Sequence, residues 1–136
     1  MTSKSRYLAE LQSHRSEHTL GLATIPVFVD GPSDLSADLQ DIQVQRGLDY
    51  VSQNFSLLLD FICQELLDLK NDAWLKDNEA PVSYENFRAQ LTPRRIRILE
   101  DGSIEIGFAD ADMFRGHEIV LRTDHELKPI WADIEG

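Results

Sequence analysis

The chain lacks the features that mark several protein classes. It has one cysteine, Cys63, so no intrachain disulfide can form and a disulfide-stapled scaffold is excluded. Its first residues, Met-Thr-Ser-Lys-Ser-Arg-Tyr-Leu, are polar and lack the apolar run of about 7–15 residues that a signal peptide needs. The densest apolar stretch, Phe55 to Leu69, is broken by Asp60, Gln64, Glu65 and Asp68. It therefore falls short of the roughly 20 apolar residues that span a bilayer. These absences make a reducing cytoplasm the expected compartment and a small buried hydrophobe the simplest role for Cys63. Cations are also scarce. Lys and Arg total 13 against 24 Asp and Glu, a net charge of −11. Nucleic acid and anionic membranes are bound through cationic patches, so neither is expected as the main partner. The balance suits solubility and a basic protein partner. No P-loop, dinucleotide fingerprint, nucleophile elbow or Cys-x-x-Cys is present, and no cofactor, metal or catalytic residue is assigned.

What is present reads as one domain over residues 1–136, since 136 residues can bury roughly two-thirds of their unfolded surface. Residues 1–17 are expected as a short helix or a frayed arm, with Tyr7, Leu8 and Leu11 at helical spacing. Three bases against one acid make residues 1–15 net positive, whereas residues 16–45 hold five acids and no base. The remaining acids are spread evenly, so the charge belongs to the folded surface and is no detachable tail. Ile25, Val27 and Val29 alternate around Pro26 in a strand expected at a sheet edge or with a bulge, because proline cannot donate to a ladder. Asp30-Gly31-Pro32-Ser33 closes it, and a helix is expected from Ser33 or Asp34. Gly47 weakens that helix by about 1 kcal/mol without ending it. From there Leu48, Val51, Phe55, Leu58, Leu59, Ile62, Leu66 and Leu69 form one apolar stripe, read as core-facing. Ser83 caps a short helix with Val82 and Phe87 as a hydrophobic staple, and Thr92-Pro93 stops it.

The last third reads as β. A three-residue loop, Glu100-Asp101-Gly102, pairs Ile98 with Ile104 and Ile96 with Ile106, and sets Arg97 opposite Glu105. Glu118–Thr123 and Lys128–Ile134 follow as strands joined by Asp124-His125-Glu126. The expected class is α+β: a long central helix plus short helices packed on a mainly antiparallel sheet of about four to five strands.

The order Asp101-Gly102-Ser103, Asp110-Ala111-Asp112-Met113-Phe114-Arg115-Gly116-His117-Glu118-Ile119 and Ala132-Asp133-Ile134-Glu135-Gly136 resembles a bacterial family, domain of unknown function 2262. The resemblance extends upstream through Asn71-Asp72-Ala73-Trp74 to Ile25–Gly31, covering about residues 20–136. It implies a small α+β domain and no established activity. Members often carry an aromatic residue where Arg115 stands, so any pocket that residue lines is altered here. Small domains of this kind often serve as immunity partners of secreted toxins.

Several groups invite chemistry. His117, at a strand start and oriented by Asp110 or Asp112, could act as a base or metal ligand. The structural alternative has Gly116 supplying an unusual backbone angle, Phe114 anchoring the loop, and His117 bonded to a nearby carbonyl. His14-Arg15-Ser16-Glu17-His18 matches the inverted zinc-protease pattern, but no packed helix is expected there and a solvated linker is the better reading. Asp110-Ala111-Asp112 is short of a calcium loop and reads as a solvated acidic turn. Arg94-Arg95-x-Arg97 is expected to pair with local acids. Two functions compete. One is an acidic binding module of immunity type, with Asp34, Asp38, Asp41, Asp49 and the loop Asp110, Asp112, Phe114, Arg115, Gly116 and His117 as contacts. The other is a metal-binding or hydrolytic enzyme centred on Asp110, Asp112 and His117. A structural domain without catalysis, and a homodimer, are also compatible with the sequence.

Overall fold

A computed structural model of the chain describes residues 6–8, 13–20, 23–30 and 37–136. Its strands are β1 (Arg6–Leu8), β2 (Ser13–Leu20), β3 (Ala23–Asp30), β4 (Thr92–Ile98), β5 (Ile104–Ala109), β6 (Glu118–Thr123) and β7 (Pro129–Glu135), with helices α1 (Ala37–Ala73) and α2 (Tyr84–Ala89) between β3 and β4. The seven strands lie side by side in chain order. Every neighbouring pair is antiparallel except β3 and β4, which run parallel. A parallel pair needs a long crossover, and α1 with α2 supplies it. The class is α+β as expected, with more strands than expected. The excess comes from the N-terminal region. The short helix expected there is replaced by strand at Arg6–Leu8, and the segment read as a linker, His14 to His18, lies within β2.

That N-terminal ribbon also corrects the reading of Pro26. β3 is an inner strand, flanked by β2 and β4, with Pro26 opposite Glu17. Proline is tolerated because the ladder to β4 begins one residue later, with Val27 opposite Ile96. Its missing N–H therefore falls at the end of that ladder and not inside it.

Alternation fixes the two faces of the sheet. Ile25, Val27, Val29, Ile96, Ile98, Ile104, Ile106, Phe108, Ile119 and Leu121 point into one core, which Leu48, Val51, Leu58, Leu59, Ile62 and Leu66 of α1 and Phe87 of α2 complete. The apolar stripe is thus core-facing, with Phe55 half-buried against Phe108. Gly47 has a packing reason that propensity does not reveal. A Cβ there would sit 2.8 Å from Cδ1 of Ile98 and 3.3 Å from Cδ1 of Ile104, so the missing side chain lets α1 lie close against the sheet. Further along, Asn54 leaves helical geometry (φ −117°, ψ 15°), and its side-chain amide donates to the Tyr50 carbonyl at 3.0 Å. A side chain bonded into the helical ladder is a recognised cause of a kink. The expected start at Ser33 or Asp34 lies outside the described residues.

The local readings of the C-terminal half hold. The Ser83 hydroxyl accepts from the Asn86 amide at 3.2 Å and Phe87 is fully buried. The β4–β5 register pairs Ile98 with Ile104, Arg97 with Glu105 and Ile96 with Ile106, and Gly102 takes φ +87°. No helix among the described residues is long and apolar enough to cross a membrane.

Candidate functional site

The loop 110–117 joins β5 to β6 and contains the most unusual backbone of the described chain. Ala111 (φ 49°), Asp112 (φ 62°), Arg115 (φ 57°) and Gly116 (φ 86°) are all left-handed. Such a loop needs a fixed acceptor at its centre, and Asp110 supplies it. Its carboxylate is buried, with Oδ1 accepting from the Asp112 amide and Oδ2 accepting from the amides of Phe114 and Gly116, each at 2.9 Å. The Asp110 carbonyl accepts the Met113 amide at 2.9 Å. Hydrogen bonds to a charged acceptor are the strong kind, and three of them offset the cost of left-handed residues.

His117 is oriented by the loop itself. Its Nδ1 lies 2.6 Å from the Phe114 carbonyl, so Nδ1 carries the proton and donates. Asp110 and Asp112 do not reach it. Asp112 points outward to Lys76, with Oδ2 2.6 Å from Nζ, and that lysine holds the Asp112 carboxyl below its ordinary range. Phe114 is fully buried, edge-on to Phe87 and to Trp74. The residues singled out as a possible acid–base or metal constellation are therefore close in space but bonded to other groups. No group of three or more His, Cys, Asp or Glu side chains among the described residues could hold a metal ion. The acidic turn also differs from expectation in one half: Asp112 is exposed, whereas Asp110 is buried as the hub.

The Asn71–Trp74 element packs against the same loop. Asn71 clamps Val82 from both sides, accepting its amide at 2.8 Å and donating to its carbonyl at 3.0 Å. The Trp74 ring stands edge-on to His117 at 5.4 Å, and the Arg115 guanidinium lies 5.9 Å above the Trp74 centroid. A planar cation thus covers the indole. Close by, Lys70 is fully buried with Nζ donating to the Trp74 carbonyl and to Glu79, both at 2.9 Å. A Cβ at Gly136 would lie 3.3 Å from Cδ2 of His117, so the chain end passes beside this ring. Three segments distant in sequence converge on one corner of the fold.

Other candidates fall elsewhere. Asp34 lies outside the described residues, as do the side chains of Asp38 and Asp41 on α1. Asp49 is exposed on α1 and accepts from Gln45. His14 and His18 sit four residues apart on β2, and the His14 side chain lies outside the described residues. His18 bonds Ser52 of α1 through Nε2 at 3.1 Å.

A second concave feature was not visible in the sequence. On the sheet face opposite the core, register places Phe28, Arg97, Glu105, Arg122 and Trp131 in one cross-strand row. Of the basic cluster, Arg95 and Arg97 find acids, but Arg97 does not bond the Glu105 that it faces, and Arg94 forms no ion pair among the described residues. Arg97 binds Asp30 (2.9 Å), while buried Glu105 accepts from Arg95 (2.6 Å) and Arg122 (2.7 Å). Arg95 also binds Glu118 at 2.6 Å. Burial pushes the Glu105 carboxyl up, but its two arginine partners outweigh this and hold it below the ordinary range. Arg122 stacks on Trp131 at 5.0 Å. At one end of this row, the β4–β5 and β6–β7 turns enclose an open cleft of about 460 Å³ that includes Arg97, Leu99, Arg122, His125 and Ile130. The alternation of β4, β5 and β6 could have placed these residues on one face, but only the full strand order brings them into one row.

The model of an uncharacterized protein family conserved in bacteria, DUF2262, matches residues 48–134. The chain belongs to this family. The matched span begins at Leu48 of α1 and includes the Asn71–Trp74 element and the whole 110–117 loop, and leaves out Ile25–Gly31. No curated protein and no solved structure matches the chain.

Proposed function

We propose that this domain is a non-catalytic binding module that presents an acidic exterior to a basic protein partner, as an immunity-type inhibitor of a cationic effector would. The observation that carries this reading is a ridge on α1. Glu65, Asp68 and Asp72 are exposed at spacings of three and four residues, which puts them on one solvent face about 10 Å long. None of them forms an ion pair among the described residues, whereas the cations nearby are all engaged: Lys70 with Glu79, Lys76 with Asp112 and Arg88 with Asp60. Unneutralised carboxylates on a rigid helix steer a cationic surface and need no rearrangement to meet it. Exposed Leu57, two turns before Glu65, adds an apolar contact at the end of the ridge.

The bonding of the 110–117 loop favours this reading over a catalytic one, because Asp110, Asp112 and His117 each already have a partner within the fold. The test is affinity capture from the source bacterium at low and high salt, using the parent and the triple variant Glu65→Lys, Asp68→Lys, Asp72→Lys. The reading expects one basic protein captured by the parent, lost at high salt, and lost by a triple variant that melts at the parent temperature. Failure to capture a basic partner even at low salt refutes it. So does capture that is indifferent to charge reversal.

A further inference from the structure

The cleft beside the Arg97–Glu105–Arg122 row has a ligand chemistry that nothing above uses. Both of its arginines are held from beneath in the same way. Arg97 directs Nε and Nη2 at Asp30, and Arg122 directs Nε and Nη2 at Glu105. Asp30 is largely buried and Glu105 almost wholly so, while the two arginine side chains remain about half exposed. A guanidinium has five N–H donors in a rigid fork. Using the side edge leaves the end edge, one N–H each from Nη1 and Nη2, aimed away from the carboxylate. Among the described residues that edge has no hydrogen-bond partner on either arginine; Glu135 approaches Arg122 only to 3.8 Å. Two such edges border one cleft, separated by a single strand, so about 10 Å apart at the backbone.

The walls are fixed as well. Asp101 accepts from the amide and hydroxyl of Ser103, at 2.9 and 2.6 Å. Thr123 accepts the Ile104 amide, and Asp124 gathers the amides of Glu126 and Lys128. Arg46 of α1 donates to the His125 carbonyl at 3.0 Å and so ties the β6–β7 turn to the helix layer. Leu99 and Ile130 supply apolar surface, Ile130 being 57% exposed.

We propose that this cleft binds a small organic monocarboxylate, its carboxylate on the free end edge of Arg97 or Arg122 and a compact apolar body against Leu99 and Ile130. Planar end edges match a planar carboxylate in two parallel hydrogen bonds. The acids Asp101 and Asp124 on the rim disfavour a dianion such as phosphate, and the net charge of −11 disfavours a polyanion. The volume lies in the range of small-molecule sites.

The test is a titration of the full chain with benzoate, followed by amide and indole resonances, alongside benzamide and inorganic phosphate at matched ionic strength. Saturable shifts are expected from benzoate at Leu99, Thr123 and His125 and at the indole of Trp131, which lies under Arg122, with neither control reproducing them. Ile130→Asp, at an exposed side chain, should weaken benzoate by about tenfold or more while melting near the parent temperature, and Arg122→Gln should weaken it by as much while melting lower, because it also removes one of the two partners of buried Glu105. The proposal is overturned if benzoate produces no saturable shift into the millimolar range, if phosphate or benzamide shifts the same resonances equally, or if both folded variants bind as the parent does.

Discussion

Replacing Asp110 tests whether the 110–117 loop is held by this carboxylate. Asp110→Ala removes the acceptor of three backbone amides at once. The amides differ in what replaces it. Asp112 and Gly116 are exposed and can bond water, so each loses only the net value of a hydrogen bond, about 0.5–1.5 kcal/mol. Phe114 is fully buried, and its amide is left without a partner at about 1–3 kcal/mol. The expected loss is about 2–6 kcal/mol. For a chain of this size each kcal/mol shifts the melting temperature by roughly 3–5 °C, so the drop is about 6–30 °C. Asp110→Asn keeps one oxygen. Turned toward Phe114 and Gly116 it preserves two bonds and sets its NH2 against the Asp112 amide, for an intermediate loss of about 1–3 kcal/mol. Urea denaturation gives the free energies, and amide exchange at Phe114 and Gly116 locates the effect. The reasoning is refuted if Asp110→Ala costs less than about 0.5 kcal/mol, or if exchange at Phe114 is unchanged, because the carboxylate would then be free for a ligand.

Three further outcomes follow from the same contacts. Gly102, at φ +87° in the β4–β5 turn, should tolerate Asn better than Ala, with Gly102→Ala costing about 1–2 kcal/mol, whereas Ala111→Gly should stabilise by up to about 1 kcal/mol; equilibrium unfolding measures both. The carboxyls of Glu105, Asp60, Glu79 and Asp101 are all held below their ordinary values, mainly by arginine, tyrosine, backbone, lysine or serine partners. Their contribution is therefore complete above the ordinary values of 4.5 for Glu and 3.8 for Asp, and is lost as pH falls through the lowered ones. A melting temperature flat from neutral pH to that range and falling below it is the expected titration, and a fall that begins near neutrality contradicts it. Cys63 is buried and its thiol is pushed up to about 11, so iodoacetamide should label it only as urea unfolds the chain; fast labelling of the native protein at neutral pH would show that the helix opens locally.

Local chemistry was legible in the sequence wherever the deciding contacts are close along the chain. The β4–β5 register followed from Gly102 and the isoleucine alternation, the α2 cap from Ser83 and Phe87, and the α1 stripe from its spacing. What the sequence concealed is non-local. The parallel pairing of β3 with β4 joins segments separated by the whole helical crossover, and no residue pattern announces it. That pairing brings Asp30 to Arg97, 67 positions away, so Arg97 faces Glu105 in register yet bonds elsewhere. It also seats Pro26 inside the sheet. At the N-terminus, polar residues at mixed spacing left β2 unread, because its partner β3 supplies the ladder and its own composition does not ask for a strand.

The same distinction bears on the 110–117 loop. Its run of Asp, Phe, Gly and His attracted a catalytic reading because these residue types recur in active sites. A left-handed loop selects the same types for other reasons: a carboxylate to collect amides, a ring to anchor the turn, a glycine for the angle, an imidazole to take the last carbonyl. The cleft with free guanidinium edges, by contrast, uses ordinary strand residues at ordinary spacing. A distinctive motif can thus record what the backbone requires, while the donors left unused by the fold lie on strands that no motif marks. Measuring Asp110→Ala and the benzoate titration on one protein separates these two roles, since the substitution should lower stability without touching the cleft, whereas benzoate should raise it only as the cleft fills.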